Sequence, residues 1–150
     1  MLAKVSWIVV IFCIYYTSAQ QITPACLECI CLVTSECDIN VGCNGPVCGP
    51  FYITKQYWTD ADKPALSDKP ADEDEDQTYR NCANNVYCAA RVLQNYMSKF
   101  AKDCTGNGVI DCEDYVRLHR FGASGCAVNS LHNVYEGIFK RCINSFGTSA

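Results

Sequence analysis

Carboxylic acids beside a dense cluster of cysteines are the residues of this chain whose types and spacing could do chemistry. Residues 26–37 read CLECICLVTSEC; the acids there are Glu28 and Glu36, and Asp38 follows. Two facing carboxyl groups can cleave a glycosidic bond, because one protonates the leaving oxygen and the other, as an anion, attacks or stabilises the oxocarbenium-like centre. Glu36 and Asp38 are one candidate pair, and two solvated loop carboxylates are the favoured alternative.

A second candidate site is the segment DCTGNGVIDCED at residues 103–114. Aligned with a calcium-binding loop of the helix-loop-helix type, it places oxygen-bearing side chains at several ligand positions. These are Asp103, Thr105, Asn107, Asp111 and Asp114. Two cysteines inside the loop and an aspartate in place of the last glutamate count against calcium. A bridged turn with Gly108 at positive φ is the favoured interpretation, so we predict no cofactor and retain calcium only as a weak candidate.

The cysteines and the first residues indicate an oxidising compartment. Residues 1–19 have a positive start, an apolar run and a small residue at the end, which is the layout of a secretory signal peptide. The run is too short to span a bilayer. Removing this segment takes Cys13 with it and leaves twelve of the thirteen cysteines. An even number in a small secreted chain predicts a disulfide framework in an extracellular protein, with one domain over residues 20–150.

Zinc is a competing interpretation of the pair Cys26-x-x-Cys29, which has metal-ligand spacing. Cys31 crowds this pair, and the chain has no partner Cys-x-x-Cys. Disulfides are therefore favoured over zinc.

The charge of the chain is negative and concentrated in one segment. Without Lys4 in the signal peptide, the formal net charge of −4 becomes −5. Eight acids and only two lysines lie in residues 60–76. There is no basic stripe, so nucleic acid is not a predicted partner, and no second apolar run predicts a membrane span.

The elements that must position these residues can be predicted from composition and periodicity. Residues 51–54 (FYIT) and 57–58 (YW) are aromatic and β-branched and predict a short β-hairpin. Residues 59–79 contain two prolines and many acids, and predict an exposed acidic loop. Residues 20–50 are cysteine-rich with short spacings and predict a turn-and-helix region held by bridges. From Asn84 onward the chain predicts three helices, so the fold class is a small, helix-dominated, disulfide-rich α+β domain.

Each predicted helix has its own signal. From Asn84 onward, apolar residues recur at three- and four-residue steps through Phe100. A second helix is expected over 113–120, starting at Asp111 or Cys112 and ending before Gly122. The third should be capped by Asn129 or Ser130. Its predicted buried stripe is Leu131, Val134, Tyr135, Ile138, Phe139 and Cys142.

Four stretches of the chain resemble the invertebrate-type lysozyme family, which includes the destabilases. They are CLECICLVTSEC (26–37), GC-x4-CGPFYITKQYW (42–58), NCANNVYCAARVLQNYM (81–97) and DCEDYVRLHRFGASGC (111–126). The resemblance implies a lysozyme-like fold with a cleft. It also implies a muramidase that cleaves β-1,4 bonds of bacterial peptidoglycan or a related saccharide in antibacterial defence or digestion.

The resemblance also places the catalytic carboxylates of the family on two positions of this chain. The glutamate of the family's C-x-V-E-S-x-C segment corresponds to Thr34, and its partner aspartate corresponds to Pro46. Neither side chain can give a proton at neutral pH or carry a negative charge. We therefore predict that muramidase activity is impaired, with a non-hydrolytic saccharide-binding protein as the alternative. Glu36 and Asp38 remain weak substitutes, although two positions along a helix is about 200° around its axis.

The destabilase branch is credited with isopeptidase activity, which needs a nucleophile and a base. The available side chains are Ser35, His119 and His132, which are widely spaced in sequence. A structural histidine in a helix is the favoured interpretation of His119.

The resemblance implies part of the disulfide pattern. The pairs are Cys31 with Cys37, Cys43 with Cys48, and Cys82 with Cys88, while Cys26, Cys29, Cys104, Cys112, Cys126 and Cys142 stay unassigned. One further family pair is replaced here by Ala61 and Val92. Because both cysteines of this pair are replaced, we predict that one disulfide of the family is missing from this chain.

Overall fold

The computed structural model describes residues 21–70 and 72–147, so the predicted signal peptide lies outside the described residues. Six helices and three short strands occur within these ranges. The helices are α1 (Pro24–Ser35), α2 (Lys55–Asp60), α3 (Glu75–Asn84), α4 (Val86–Phe100), α5 (Cys112–Gly125) and α6 (Asn133–Gly147). The strands are β1 (Cys43–Asn44), β2 (Val47–Cys48) and β3 (Ile53–Thr54). The helix-dominated, disulfide-rich α+β fold is confirmed.

The sheet is a small antiparallel meander with the order β1-β2-β3. Cys43 pairs with Cys48 across the first ladder, and Val47 pairs with Thr54 across the second. After β2 the chain passes so close to α3 that only glycine fits at position 49, since a Cβ there would lie 1.7 Å from the carbonyl oxygen of Ala83. Gly49 also has φ = +70°, a region that glycine adopts without steric cost.

The prediction of a second strand at 57–58 was wrong, because these residues lie in α2. The Thr54 hydroxyl accepts a hydrogen bond from the Tyr57 N–H at 3.1 Å and caps the helix. Trp58 is then buried at 1% exposure, and its indole N–H donates to the carbonyl of Pro64 at 2.7 Å. Tertiary burial of this side chain outweighs the β-propensity of the segment.

The acidic segment is shorter as a loop than predicted, because α2 includes its first residues and α3 its last. Asp74 caps α3, and its carboxylate accepts from the N–H of Gln77 at 2.8 Å. Glu75 bonds to Lys63 at 2.6 Å, and Asp76 bonds to Arg80 at 2.7 Å. Several of these acids therefore start a helix and pair with nearby bases.

Helix α4 carries the apolar face that its periodicity predicts. Val92 and Leu93 are fully buried, and Met97 is 1% exposed. They meet the buried side chains of the other helices in one core. The largest contributors from those helices are Ile30, Trp58, Val116, Leu118 and Phe139.

Helix α5 follows its prediction closely. Asp111 caps it, and the helical backbone is broken at Gly122, where φ is +70°. Helix α6 begins at Asn133, two residues later than a Ser130 cap would place its first residue. Val134, predicted to be buried, is 64% exposed, while Phe139 is buried as predicted.

Six disulfides hold the helices together. Cys31–Cys37, Cys43–Cys48 and Cys82–Cys88 are the pairs that the resemblance implies. The other six cysteines pair as Cys26–Cys112, Cys29–Cys142 and Cys104–Cys126, so Cys26 and Cys29 are not zinc ligands. Helix α1 is thereby joined covalently to α5 and to α6. Within the described ranges, no helix combines the length and apolarity needed to cross a bilayer.

Candidate functional site

A pocket of about 190 Å³ lies where α1, the sheet, α5 and α6 meet. Six side chains line it: Thr34, Val47, Tyr52, His119, Arg120 and Tyr135. Other depressions of about 200–500 Å³, among them one beside Lys140 and one beside Lys99, are larger and more open to solvent. The smaller pocket contains Thr34, the position to which the resemblance assigns the family's acid, and it is the candidate site for that reason.

Thr34 is placed by the end of α1. The next residue, Ser35, donates a hydrogen bond from its hydroxyl to the carbonyl of Pro50 at 2.6 Å, which ties this end of the helix to the segment after β2. Cys29–Cys142 fixes the same helix against α6. These links hold Thr34 on one wall of the pocket and Tyr135 on another.

The hydroxyls of Thr34 and Tyr135 are buried polar groups of the pocket. The oxygen of each is shielded from solvent, and neither has a hydrogen-bond partner of ordinary geometry among residues 21–70 and 72–147. Burial raises the pKa of Tyr135, with the nearby Thr34 hydroxyl and Arg120 acting in the opposite direction. The two hydroxyls lie close to each other, and beyond that contact they keep hydrogen-bonding capacity for a ligand, which is unusual for buried polar groups.

Pro46 does not line the pocket. It is an exposed residue of the turn between β1 and β2, and its carbonyl oxygen lies 3.4 Å from the Tyr79 hydroxyl. The adjacent Val47 lines the pocket in its stead. The side chain that β2 contributes to the pocket is therefore apolar.

Glu36 and Asp38 lie outside the set of residues that line the pocket. Glu36 is the exposed residue that ends α1 in a left-handed conformation, with φ = 57°. The Asp38 carboxylate accepts from the backbone N–H of Asn40 at 2.8 Å and holds a surface turn. Glu36 therefore ends a helix, and Asp38 stabilises a turn.

His119 is the pocket residue with the most strongly perturbed pKa. Burial lowers its pKa from 6.5 to about 4, a hydrogen bond to the backbone of Phe51 opposes this, and Arg120 lowers it further. Its Nδ1 lies 3.4 Å from the hydroxyl of Tyr57. The ring of Tyr57 in turn stacks on Tyr96 at 3.8 Å between centroids. At neutral pH the imidazole is uncharged, and its contacts fix its orientation.

Arg120 is the charged residue of the pocket. Its guanidinium lies 5.5 Å from the centroid of the Tyr135 ring, and no ion pair of Arg120 is found within the described ranges. Sequence reasoning missed Arg120 and assigned Tyr135 only to a buried stripe. Arg120 directly follows the histidine of the DY-x3-H segment, and this position was the sequence signal that could have identified it as a pocket residue.

Ser35, His119 and His132 make no hydrogen bonds to one another. Ser35 is bonded to Pro50, and His119 contacts Tyr57. His132 is exposed, and its Nδ1 lies 3.4 Å from the N–H of Val134 at the start of α6. The side chains needed for an isopeptidase are therefore each committed elsewhere.

The 103–114 segment forms a turn whose carboxylates accept backbone N–H groups. Asp103 accepts from Gly106 at 2.6 Å and from Gly108 at 2.7 Å, and these bonds help to lower its pKa. Asp114 is 1% exposed and accepts from the N–H groups of Cys104, Thr105 and Asp111 at 2.8–2.9 Å.

The remaining candidate ligands of this turn are also used internally. Asn107 accepts from the N–H of Val109, and Asp111 accepts from that of Glu113, both at 2.8 Å. In the part of the chain that the structure describes, no three His, Cys, Asp or Glu side chains are grouped as metal ligands. The carboxylates of Asp103 and Asp114 thus serve as acceptors for backbone N–H groups of the turn.

Comparison with known proteins identifies the family to which the chain is similar. The Destabilase family model matches residues 23–142. The chain is 34% identical to invertebrate-type lysozyme 6 of Caenorhabditis elegans, over 85% of this chain and 88% of the relative. It is 32% identical to a lysozyme of Magallana gigas, over 91% and 93% respectively.

Solved structures give the same result for the fold. A crystal structure of Aeromonas hydrophila PliI in complex with Meretrix lusoria lysozyme matches with a TM-score of 0.59 and 32% identity, covering 81% of this chain and 88% of the matched chain. Tapes japonica lysozyme matches with a TM-score of 0.57 and 25% identity, over the same shares.

Proposed function

The chain belongs to the destabilase family of invertebrate-type lysozymes, and from this premise we propose that it is a secreted protein that binds bacterial peptidoglycan without cleaving it. The observation that carries the proposal is the lining of the pocket, where none of the six side chains is an aspartate or a glutamate. Secretion is supported by the signal-peptide pattern of residues 1–19 and by six disulfides.

The chemistry of glycoside cleavage needs a proton donor and an anion on either side of the bond. The hydroxyl of Thr34 holds its proton far too tightly to protonate a leaving oxygen at neutral pH. His119 has a pKa of about 4, so it carries no spare proton at neutral pH. Loss of general acid catalysis alone lowers a rate by about 10²–10⁴-fold, and loss of the anion lowers it further.

The features that favour saccharide binding remain. The pocket is enclosed on several sides, and Tyr52, which is 37% exposed, offers an aromatic face at its edge. The hydroxyls of Thr34 and Tyr135 keep hydrogen-bonding capacity beyond their contact with each other. Apolar surface with a few convergent polar groups is the usual composition of a small-molecule site.

The test combines binding with cleavage on the same refolded protein. We expect insoluble peptidoglycan to retain the protein, with no clearing of a peptidoglycan suspension and no release of reducing sugar. Clearing at rates typical of active lysozymes would contradict the proposal. Failure to be retained would also contradict it and would favour a structural or signalling role.

A matched pair of variants locates the binding surface. Tyr52→Ala removes an aromatic side chain of the pocket, and we expect it to weaken retention severalfold. Tyr87→Ala removes a side chain that is 84% exposed and lies outside the pocket, and retention should stay as in the wild type.

A further inference from the structure

We infer that Arg120 makes the pocket selective for a saccharide that carries a carboxylate, so that the protein distinguishes the acidic amino sugar of peptidoglycan from neutral chitin. The inference rests on the proposed function and specifies its ligand. It starts from the charge of the pocket, where Arg120 is the one side chain of the six that is charged at neutral pH.

The acids of α5 and α6 do not neutralise Arg120, because each of them has another partner. On α5, Glu113 pairs with Arg117 at 3.4 Å, and Asp114 accepts three backbone N–H groups. On α6, Glu136 pairs with Lys140 at 2.5 Å. The positive charge of Arg120 is therefore uncompensated by an ion pair within residues 21–70 and 72–147.

The replacements at positions 34 and 46 have a second consequence beyond lost catalysis. A glutamate at position 34 would put a negative charge on the same pocket wall and compete for Arg120. Thr34 puts a neutral hydroxyl there, and the exposed Pro46 is also uncharged. With Thr34 on this wall and no acid among the six lining side chains, the pocket leaves Arg120 available to a carboxylate of a ligand.

The donors of the pocket match a carboxylate. A guanidinium presents a planar fork of N–H groups that fits two carboxylate oxygens, and such charge-assisted bonds are stronger than neutral ones. The Tyr135 ring lies beside the guanidinium of Arg120 at 5.5 Å and restricts its position. The neighbouring hydroxyls of Tyr135 and Thr34 leave a further hydrogen-bond donor within the same cavity.

Two soluble disaccharides provide a matched test. N-acetylglucosaminyl-N-acetylmuramic acid carries a lactyl carboxylate, and diacetylchitobiose is nearly the same molecule without it. We expect the full refolded chain to bind the acidic disaccharide about five- to tenfold more tightly in an NMR titration, as a charge-assisted bond at a partly exposed arginine would give. Added salt should weaken binding of the acidic disaccharide only. A muropeptide, in which the lactyl group is amidated by the stem peptide, then tells whether the lactyl or a peptide carboxylate is preferred.

Variants assign the preference to one side chain. Arg120→Gln should bind both disaccharides equally, whereas Arg120→Lys should keep part of the preference because it keeps the charge. Arg141→Gln is the matched control, since Arg141 is an exposed arginine of α6 outside the pocket. The Arg141→Gln variant should prefer the acidic disaccharide as strongly as the wild type does.

The outcomes separate this inference from the proposed function. Equal binding of the two disaccharides by the wild type, or a preference that survives in Arg120→Gln, overturns the inference and leaves peptidoglycan binding intact. Retention on insoluble peptidoglycan with no binding of either disaccharide or of the muropeptide does the same. A protein that is not retained on peptidoglycan overturns both.

Discussion

The Nδ1 atom of His119 lies 3.4 Å from the hydroxyl of Tyr57, and the two rings meet edge to face at 5.5 Å between centroids. Burial raises the pKa of Tyr57 well above 10, so this hydroxyl stays protonated and is able to donate to the neutral imidazole. The contact joins α5 to α2 beside the pocket. Burial of the imidazole lowers the pKa of His119 and favours its uncharged form, which makes the stability of the fold depend on pH.

We expect the free energy of unfolding to fall as the pH drops from about 6.5 to about 4. The pKa of His119 is lower in the folded chain than its ordinary value, so protons favour the unfolded chain. The contribution is complete above pH 6.5 and is lost on approach to pH 4. The full shift corresponds to about 3 kcal/mol, and we expect about 2 because part of the residue reaches solvent.

Urea denaturation of wild type and His119→Gln across this pH range measures the effect. The difference in stability between the two proteins should shrink toward acid pH. His132→Gln serves as the control, since His132 is exposed, and its difference from wild type should stay constant. A pH-independent difference for His119→Gln would refute the assignment.

The double variant Thr34→Glu with Pro46→Asp should gain muramidase activity, because it returns an acid and an anion to the family's positions. We expect each single variant to remain inactive, since neither supplies both groups. The measurement is clearing of a peptidoglycan suspension over a range of pH.

Arg120 should limit the double variant. A nearby cation favours the ionised form of Glu at position 34 and keeps its pKa low, so activity should lie at acid pH. Adding Arg120→Gln should move the optimum toward neutral pH, and the same optimum with and without this change would contradict the argument.

Restoring the missing cysteine pair should stabilise the protein. Ala61 and Val92 are both fully buried, and the side chain of Asn95, one turn after Val92 on α4, donates to the carbonyl of Ala61 at 3.0 Å. Ala61→Cys with Val92→Cys therefore places two thiols at the contact of α2 with α4. We expect the oxidised double variant to gain about 2–4 kcal/mol in the free energy of unfolding.

Thiol counting by mass spectrometry establishes whether the new bridge has formed. The single variant Val92→Cys is the control, and it should be less stable than wild type because the smaller side chain leaves a cavity. Two free thiols in the folded double variant would show that α2 and α4 do not approach as described.

Asp114 should matter for stability more than for metal binding. Asp114→Ala leaves three backbone N–H groups without their acceptor, so we expect a loss of at least about 2 kcal/mol. Glu113→Gln is the control on the same turn, because Glu113 makes a single half-buried ion pair with Arg117. Calcium added to the wild type should leave the melting temperature unchanged, and a rise that Asp103→Asn abolishes would show that the turn opens to bind the ion.

Local sequence signals were reliable where one helix carries a long periodic face or a clear cap. Helix α4 was predicted from its apolar stripe, and α5 from Asp111 and Gly122. Helix α2 was missed because its six residues are too few for a periodic pattern and are rich in residues typical of strands. The sequence feature that starts this helix is the Thr54 cap, and one hydroxyl-bearing residue is too weak a signal to predict a helix by itself.

The pocket was predictable only in part, because its walls are distant in sequence. Thr34 was identified through the resemblance of its segment to a family motif. Tyr135 comes to face it because Cys29 and Cys142 are joined across 113 residues, a pairing that spacing alone does not specify. Arg120 was missed since a charge on a helix surface usually means only solvent contact.

The three cysteines of α1 have a consequence for how this scaffold can change. Cys26, Cys29 and Cys31 fasten one helix to α5, to α6 and to its own following loop, and none of them is among the residues that line the pocket. The bridges of α1 therefore stabilise the fold from outside the pocket, and the residues that line the pocket are separate from the cysteines that hold the helices together. Residues of the pocket can therefore be substituted one at a time while the disulfide-linked helices keep their arrangement.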